Sequence, residues 1–298
     1  MSPGPRPSAA EPSVAESVAL APVARREALL RAIDEARRHL VLSLFRCNDQ
    51  GVLDALAAAV RRGVAVEALL TRRARRGRKS LGRLHAALTG MGATVAWFAD
   101  PVVKYHAKYL VADETTALVM TLNPTRKCFG RTWDAVITTG DTRVARSLLR
   151  LFDADASGRP PVFGPDFSPR LLVGPERSRD EVHRLILDAR RSIGILDHKL
   201  ADPGVVTLLR ERRNAGVAVT VVGKDLPSPL AAHGKLMVVD ETRALVGSLA
   251  LSTLSLDFRR EVSLMVDDPA LVQPLAAAWR ALSDHAGARA RRLPGDPS

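Results

Sequence analysis

The chain of 298 residues is long enough for two small domains, and its composition excludes several classes of protein. With 46% hydrophobic and 26% charged residues it has the balance of a soluble globular protein. No stretch approaches the roughly 18 uncharged apolar residues of a membrane span, and two cysteines predict neither a disulfide framework nor a zinc site. A net charge of +12 indicates attraction to nucleic acid, small phosphates or an anionic membrane.

The two ends of the chain predict segments without fixed structure. Residues 1–25 are rich in Pro, Ala and Ser, and Glu11 and Glu16 interrupt any apolar segment of the kind that a secretory signal needs. We therefore expect a disordered leader on a cytoplasmic protein. The basic residues 285–298 predict a disordered tail.

Helices and strands alternate in the predicted first half, residues 26–156. Helical spacing of apolar residues is predicted at 26–38, 51–62, 80–90 and 142–155, and apolar runs predict strands at 39–45, 64–70, 93–98, 108–113 and 117–122. A Pro/Gly-rich segment, residues 157–170, predicts a linker to the next domain.

The second half, residues 171–284, repeats this order. Helices are predicted at 178–191, 203–215 and from about 269 to 283, and strands at 192–197 and 217–222. Counterparts of the helix at 80–90 and the strand at 93–98 are missing. The pattern predicts an α/β fold of two pseudo-symmetric halves, each a mixed β-sheet flanked by helices.

A duplicated motif, His-x-Lys-x4-Asp, relates the two halves. It consists of His106, Lys108 and Asp113 in the first copy and of His233, Lys235 and Asp240 in the second. The histidines are offset by 127 residues, whereas Gly63 and Gly216 are offset by 153, so the first half holds 26 extra residues. A repeat of this length implies two whole halves related by a pseudo-dyad, which would bring both His-Lys pairs to one cleft.

This motif, when Gly-Ser-x-Asn follows it, is the hallmark of the phospholipase D superfamily, which the chain resembles from about residue 26 to residue 283. The resemblance implies one active site at the interface of the halves, without metal or cofactor. It implies that His106 attacks phosphorus and forms a phosphohistidine, and that His233 protonates the leaving oxygen and then activates water or an alcohol. The residues themselves leave the order of the two histidines open.

The residue types suit this chemistry apart from the resemblance. Displacement at a phosphodiester needs a nucleophile, an acid for the leaving alcohol, and cations on the non-bridging oxygens. Imidazole serves both of the first roles because its pKa lies near neutrality. Lys108 and Lys235 are expected to bind the phosphate oxygens. No carboxylate cluster that would hold Mg²⁺ is evident in the sequence.

Four further positions follow from the aligned motifs. Residues 120–123 stand where Gly-Ser-x-Asn is expected, so Thr121 and Asn123 are candidate phosphate donors. The second copy keeps Ser248 as a candidate donor but has Ala250 in place of Asn, which makes the site asymmetric.

Two pairs of acids accompany the motifs. Asp134 and Glu261 are also offset by 127 residues, and the resemblance implies that such an acid orients a motif histidine, as the acid of a catalytic triad does. Asp113 and Asp240 are expected to hold the loop and strand rather than to touch substrate.

Three other features leave alternatives open. A basic run begins the extra region, and it either contacts a polyanion beside the cleft or forms a solvated loop. Its residues are Arg72, Arg73, Arg75, Arg76, Arg78 and Lys79. Residues 197–199, Asp-His-Lys, are interpreted as a polar strand end, and Cys128 as an ordinary small residue.

The favoured hypothesis is a metal-independent phosphodiesterase or phosphatidyl-type transferase acting on a phospholipid headgroup or another small diester. A nuclease acting on DNA or RNA is the alternative, because of the positive charge. A non-catalytic phosphate-binding module is the second alternative, because of Ala250. Both enzyme hypotheses give a phosphodiester as the partner. The positive charge also allows peripheral contact with an anionic membrane. The oligomeric state stays open.

Overall fold

The computed structural model describes residues 16–72, 78–98, 100, 102–224, 226–287 and 293–296. These residues form two large mixed sheets, one of seven strands and one of six, with helices packed around them. The prediction of an α/β fold with two similar halves is therefore confirmed. Within the described ranges, no helix combines the length and the apolar character that crossing a bilayer requires.

The first half carries the seven-stranded sheet, in the spatial order β1-β9-β7-β6-β2-β3-β4. Strands β2, β3 and β4 are parallel to one another, and the other pairs are antiparallel. The elements are β1 (Ser17–Ala19), α1 (Pro22–Glu35), β2 (His39–Leu44), α2 (Gln50–Arg61), β3 (Ala65–Thr71), α3 (Arg78–Gly90), β4 (Thr94–Phe98), β5 (Lys104–Tyr105), β6 (Tyr109–Ala112), β7 (Thr116–Met120), α4 (Arg126–Gly130), β8 (Thr132–Trp133), β9 (Val136–Thr139) and α5 (Thr142–Ser157).

The second half carries the six-stranded sheet, in the order β10-β17-β15-β14-β11-β12. Its six strands repeat six strands of the first sheet in the same order, and its described residues contain no counterparts of α3 and β4, as the difference between the two offsets predicts. The elements are β10 (Leu171–Val173), α6 (Ser178–Leu187), β11 (Ser192–Leu196), α7 (Pro203–Asn214), β12 (Ala218–Val222), β13 (Ala231–Ala232), β14 (Lys235–Val239), β15 (Arg243–Gly247), α8 (Thr253–Phe258), β16 (Arg259–Arg260), β17 (Val262–Val266) and α9 (Pro269–Ala286).

The motif aspartates lie in the tight turns that follow the motif strands. Asp113 has a φ of 51° and Asp240 a φ of 54°, which is the left-handed conformation that short polar residues tolerate best. The carboxylate of Asp113 accepts hydrogen bonds from the backbone N–H groups of residues 37–39 at 2.8–2.9 Å. Asp240 does the same for residues 190–192. Both aspartates therefore tie the hairpin to the loop that enters the neighbouring strand.

The N-terminal boundary of the fold needs correction. We predicted that residues 1–25 form a disordered leader, yet β1 pairs with β9, and α1 begins at Pro22. The Glu16 carboxylate accepts a hydrogen bond from the Arg170 guanidinium at 2.7 Å. Edge pairing and this ion pair anchor the segment, and an edge strand of three residues is too short to show periodicity. Residues 1–15 lie outside the described residues.

The C-terminal boundary also needs correction. We predicted a disordered tail from residue 285, but α9 continues to Ala286. Leu293 is buried in the apolar cluster of the second half, and Asp296 accepts a hydrogen bond from Arg213 at 2.9 Å. Apolar burial and ion pairing thus dock residues 293–296 on the fold. Residues 288–292 and 297–298 lie outside the described residues.

Two short parallel ribbons join the halves. Strand β5 of the first half pairs with β16 of the second, and β8 of the first half pairs with β13 of the second. One apolar cluster continues across the interface and contains Tyr109 and Val119 from the first half together with Leu236 and Val246 from the second. Each motif therefore enters its strand directly from a ribbon that it shares with the other half.

Candidate active site

The two motif histidines lie at the ends of the two ribbons. His106 follows β5, and its backbone N–H donates to the Arg260 carbonyl of β16 at 2.9 Å. His233 follows β13, which pairs with β8. Because Glu261 comes directly after β16 and Asp134 directly after β8, each histidine faces the acid of the opposite half. The ribbons thus cross-connect the two motifs into one site.

Each histidine is paired with a fully buried carboxylate. His106 Nδ1 lies 2.8 Å from Glu261 Oε2, and His233 Nδ1 lies 2.8 Å from Asp134 Oδ1. Both acids have 0% side-chain exposure, whereas the histidines retain 19% and 30%. Because an ionised carboxylate can only accept, Nδ1 carries the hydrogen in each pair, and Nε2 is the nitrogen left for substrate.

A network behind Asp134 holds its carboxylate in place. The hydroxyl of Thr121 donates to Oδ1 at 2.8 Å, and the hydroxyl of Thr132 donates to Oδ2. The guanidinium of Arg25, itself 1% exposed, lies 3.5 Å from Oδ2. We did not predict Arg25 as a site residue, because we assigned residues 1–25 to the leader. In the structure, Arg25 lies on the buried face of α1. Its buried charge is the one signal that could have drawn attention to it.

Glu261 has a different set of partners. The hydroxyl of Ser255 donates to Oε1 at 2.6 Å, and the Arg259 guanidinium lies 3.9 Å away. Burial by itself would raise the pKa of Glu261, but the electrostatic attraction and hydrogen bond of His106 and the attraction of Lys108 lower it to about 2. Glu261 is therefore an anion at neutral pH.

The two predicted hydroxyl donors make hydrogen bonds within the protein. Thr121 donates to Asp134, and the hydroxyl of Ser248 donates to the Val262 carbonyl at 3.2 Å. We predicted both as phosphate ligands, and that role stays a prediction. Asn123, by contrast, lines a cavity next to His233, and its Oδ1 is buried without a hydrogen-bond partner.

The motif lysines are buried beside the histidines. Lys108 is 1% exposed and Lys235 is 7% exposed, and each ammonium donates to the carbonyl of its own motif histidine. Burial lowers the pKa of Lys108 to about 7, against the attraction of Glu261 and with help from the charge of Lys235. Burial likewise lowers the pKa of Lys235. Burial keeps most water away from the two ammonium groups, so their attraction to an entering phosphate is weakly screened.

Burial determines the protonation state of His106. Burial lowers the pKa of His106 to about 4, against the opposing charge of Glu261 and with a further lowering by Lys108. His106 is therefore an uncharged imidazole at neutral pH, which is the form that attacks phosphorus. The ring of Phe45 packs edge-on against His106 at 5.5 Å between centroids and contributes to this burial.

The polar strand end at residues 197–199 belongs to the site. His198 is the equivalent of Phe45, because the two residues are 153 positions apart. Phe45 follows β2, and His198 lies just after β11, the counterpart of β2 in the second half. Burial and the positive charges of Lys235 and Lys199 lower the pKa of His198 to about 4. The charge of His233 acts in the same direction. We interpreted this segment as a polar strand end, and Asp197 lines a small cavity together with Lys235 of the second motif.

A cavity of about 350 Å³ opens beside His233 on the side of the first half. The loop after β2, helix α3 and the segment around α4 form its walls. They contribute Phe45, Arg46, Cys47, Asn48, Ser80, Leu81, Leu84, Asn123, Thr125, Lys127, Cys128 and Thr132. Among the lining residues that the structure describes there is no carboxylate. Helix α3 has no counterpart among the described residues of the second half, so the wall that it forms is present only on the side of the first half.

The basic run is described only at its ends. Arg72 and Lys79, its first and last residues, are exposed. Arg73, Arg75 and Arg76 lie outside the described residues, as does the side chain of Arg78. Contact between this run and a polyanion therefore stays a prediction.

Comparison with known families accords with this geometry. A family profile described as "Cardiolipin synthase, PLD-like domain" matches residues 29–156 and 173–282, which is most of the chain. The chain belongs to the phospholipase D-like family. Its two halves are the two family repeats, and the resemblance drawn from the motifs is confirmed.

Two solved structures share this fold over nearly the whole chain. The polyphosphate kinase from Porphyromonas gingivalis superposes with a TM-score of 0.71 at 20% identity, over 89% of this chain and 46% of the kinase. The phosphatidylserine synthase from Haemophilus influenzae superposes with a TM-score of 0.70 at 12% identity, over 91% of this chain and 85% of the synthase. The chain thus spans less than half the length of the kinase. No curated protein sequence matches it significantly.

Proposed function

We propose that this phospholipase D-like protein is a metal-independent phosphodiesterase or phosphatidyl-type transferase. The observation that carries the proposal is the crossed pair of acid-anchored histidines, His106 with Glu261 and His233 with Asp134, beside two buried lysines. This set supplies a nucleophile, a proton donor and the cations for the non-bridging oxygens. A phospholipid headgroup or another small diester is the favoured substrate, and the lipid synthase named in the family description supports it.

The reaction follows from the protonation of the two rings. Nε2 of neutral His106 attacks phosphorus, a nitrogen–phosphorus bond forms, and the bond from phosphorus to the leaving oxygen breaks. The leaving oxygen takes a proton from Nε2 of His233. Neutral His233 then removes a proton from water or an alcohol, whose oxygen attacks phosphorus and releases His106. Glu261 and Asp134 stabilise the positive charge that appears on each imidazole in turn.

The cavity beside His233 suits the group that leaves and the acceptor that replaces it, because His233 serves both. Arg46 and Lys127 line this cavity, and its described lining has no carboxylate. A cationic headgroup meets only like charge there, whereas a neutral alcohol meets no repulsion and an anionic alcohol is attracted. We therefore expect neutral or anionic leaving and acceptor alcohols to be preferred over cationic ones such as choline.

The test is hydrolysis of bis(p-nitrophenyl) phosphate in excess EDTA. We expect steady release of p-nitrophenol at a rate that EDTA does not lower, since no step uses a metal. Loss of activity in EDTA that Mg²⁺ or Mn²⁺ restores would contradict the proposal. Absence of turnover on this diester and on a panel of phospholipids, with inorganic phosphate still bound, would instead support the non-catalytic phosphate-binding module.

A nuclease is the second candidate, because the net charge is +12 and exposed Arg72 and Lys79 flank the basic run beside α3. We expect cleavage of an oligonucleotide, where it occurs, to fall at least about tenfold in kcat/KM between 50 and 200 mM salt, since counterion release drives such binding. Hydrolysis of a small diester should change by less than about twofold. Equal salt dependence of the two rates would exclude a polyanion-binding groove.

The pH dependence of kcat/KM tests the protonation states of the free protein. With p-nitrophenyl esters the leaving group needs no proton from His233, so two groups control the profile. We expect the rate to fall as the pH drops through about 4, where His106 gains a proton, and as it rises through about 7, where Lys108 loses one. Lys108→Arg keeps its charge at high pH, so its slower rate should not fall near 7. A wild-type profile that stays flat between pH 7 and 9 would contradict the role given to Lys108.

A further inference from the structure

Three potential metal ligands meet at the acid of the first half. The sulfur of Cys128, a carboxylate oxygen of Asp134 and a ring nitrogen of His233 all lie within 4.8 Å of one another. Cys128 is 5% exposed, and it lines the cavity of about 350 Å³ together with His233. Cys128 and Asp134 come from the first half and His233 from the second, so the cluster exists only in the assembled site.

The internal repeat shows which residue of the second half corresponds to Cys128. Its equivalent in the second half, 127 residues on, is Ser255, whose hydroxyl donates to Glu261 at 2.6 Å. A thiol thus stands where the other half has a hydroxyl that supports its acid. A thiol is a weak hydrogen-bond donor, but as a thiolate it is a strong ligand for zinc and other soft cations.

We propose that Cys128, Asp134 and His233 bind a thiophilic divalent cation such as Zn²⁺, and that the bound cation inhibits the enzyme by capturing His233. Zinc takes sulfur at about 2.3 Å and nitrogen or oxygen at about 2.0–2.2 Å, so side-chain movements of roughly 1 Å close the site. Water from the cavity would supply a fourth ligand. Asn123, whose buried Oδ1 has no hydrogen-bond partner and which lines the same cavity, is placed to accept a hydrogen bond from that water.

Binding changes the site in a defined way. The thiol proton is released to solvent, and the Nδ1 hydrogen of neutral His233 is transferred through solvent to Nε2. Metal bonds to Nδ1 of His233 and to the carboxylate of Asp134 then replace the hydrogen bond between these two residues. His233 can then neither protonate a leaving group nor activate water. Arg25 lies 3.5 Å from the other oxygen of Asp134, and its charge opposes a dication. The site is therefore weaker than a closed structural zinc site, as befits reversible inhibition. The inhibition rests on the proposed function, whereas the binding does not.

Sequence spacing did not indicate this cluster, and we expected no zinc site from the two cysteines. Asp134 lies six residues beyond Cys128, and His233 lies 99 residues beyond Asp134. None of these intervals matches a metal-binding signature. The ligands meet because β8 pairs with β13, a contact between halves that the amino-acid pattern does not predict.

The experiment compares the full-length wild type with Cys128→Ser and with Cys47→Ser as a matched control. Both cysteines are buried and line the same cavity, and burial raises the pKa of Cys47 to about 12, so that thiol stays protonated. Co²⁺ is the probe, because a cobalt–thiolate bond gives a charge-transfer absorption in the near ultraviolet. We expect this band, and its displacement by Zn²⁺, in the wild type and in Cys47→Ser but not in Cys128→Ser.

Zinc inhibition of bis(p-nitrophenyl) phosphate hydrolysis is measured alongside, relative to the metal-free rate of each variant. We expect Cys128→Ser to need at least about tenfold more zinc for half-inhibition than the other two proteins, since it has lost its thiolate ligand. Circular dichroism verifies folding, and Cys128→Ala serves if the serine variant is unstable. A cobalt band unchanged in the Cys128 variants, or absent from the wild type, would overturn the site.

Failure of this inference is separable from failure of the proposed function. If the wild type shows no phosphodiesterase activity, the cobalt titration still decides whether the cluster binds metal. If turnover is normal and the Cys128-dependent band is present, but saturating Zn²⁺ leaves the rate unchanged, the inhibitory consequence is wrong.

Discussion

We expect His106→Asn to abolish the release of p-nitrophenol from bis(p-nitrophenyl) phosphate, and His233→Asn to leave a single burst of about one equivalent per molecule followed by a stop. Without His106 no nitrogen–phosphorus bond forms. Without His233 the first step survives, because p-nitrophenolate leaves without a proton. The phosphohistidine then persists, because nothing activates water. Steady-state turnover should fall by several orders of magnitude in both variants.

Rapid quench records the burst, and intact-protein mass spectrometry under alkaline conditions detects the acid-labile phosphorylated intermediate. His39→Asn is the matched control, because His39 also contacts a carboxylate, that of Glu67 at 2.7 Å. His39 begins β2, and Phe45 of the site follows the opposite end of that strand. This control should turn over normally. A burst in His106→Asn and none in His233→Asn would exchange the two roles. Undiminished turnover in either variant would disprove the two-histidine mechanism.

A substrate with an alkyl leaving group separates the two functions of His233. An alkoxide is a much stronger base than p-nitrophenolate, so its departure depends on the proton that His233 supplies. We therefore expect the burst of His233→Asn to disappear when the diester carries an alkyl leaving group. This contrast between substrates distinguishes loss of a proton donor from general damage to the site, which would affect both alike.

The halves and the motif histidines could be predicted because they depend on local pattern. Apolar runs located seven of the thirteen strands of the two large sheets within one or two residues, and the two offsets located α3 and β4 as the extra elements. The strands that were not predicted are β1, β9, β10, β14, β15 and β17. The sequence did not predict that α3 would line a cavity beside His233. That wall depends on how one half packs on the other, and the packing of halves leaves no periodic trace in the sequence.

The crossing of the acids could not be predicted for a related reason. Ribbons β5–β16 and β8–β13 contain two residues per strand, too few for a pattern, and each takes one strand from each half. Resemblance assigned an orienting role to Asp134 and Glu261 without saying which histidine each would meet. The hydrogen bonds of Thr121 and Ser248 within the protein could not be predicted either, because a motif identifies residue types and not the direction of a hydroxyl hydrogen.

This crossing makes a second large prediction. We expect Glu261→Gln to reproduce the defect of His106→Asn, with the burst rate lowered on the order of 10³-fold or more, and Asp134→Asn to reproduce that of His233→Asn, with the burst retained and turnover lost. The reason is that Glu261 contacts His106 and Asp134 contacts His233. If each acid instead served the histidine of its own half, the two phenotypes would be exchanged.

The variants must be shown to act on chemistry and not on folding. Asp134→Asn leaves the guanidinium of Arg25 buried without its carboxylate, and breaking such a pair costs about 3–5 kcal/mol of folding free energy. Arg25→Met combined with Asp134→Asn removes both charges and should recover much of that stability in thermal unfolding without recovering turnover.

Glu67→Gln, which alters the remote partner of His39, is the matched control for both acids and should leave burst and turnover unchanged. Glu261→Asp keeps the charge but shortens the side chain, so it should restore part of the burst rate that Glu261→Gln loses. Because the acids hold and polarise the histidines without touching substrate, their loss should lower kcat far more than it raises KM. A rise in KM at unchanged kcat would show that the acids shape the binding surface, and the crossed histidine–acid pairs would then not be the catalytic unit.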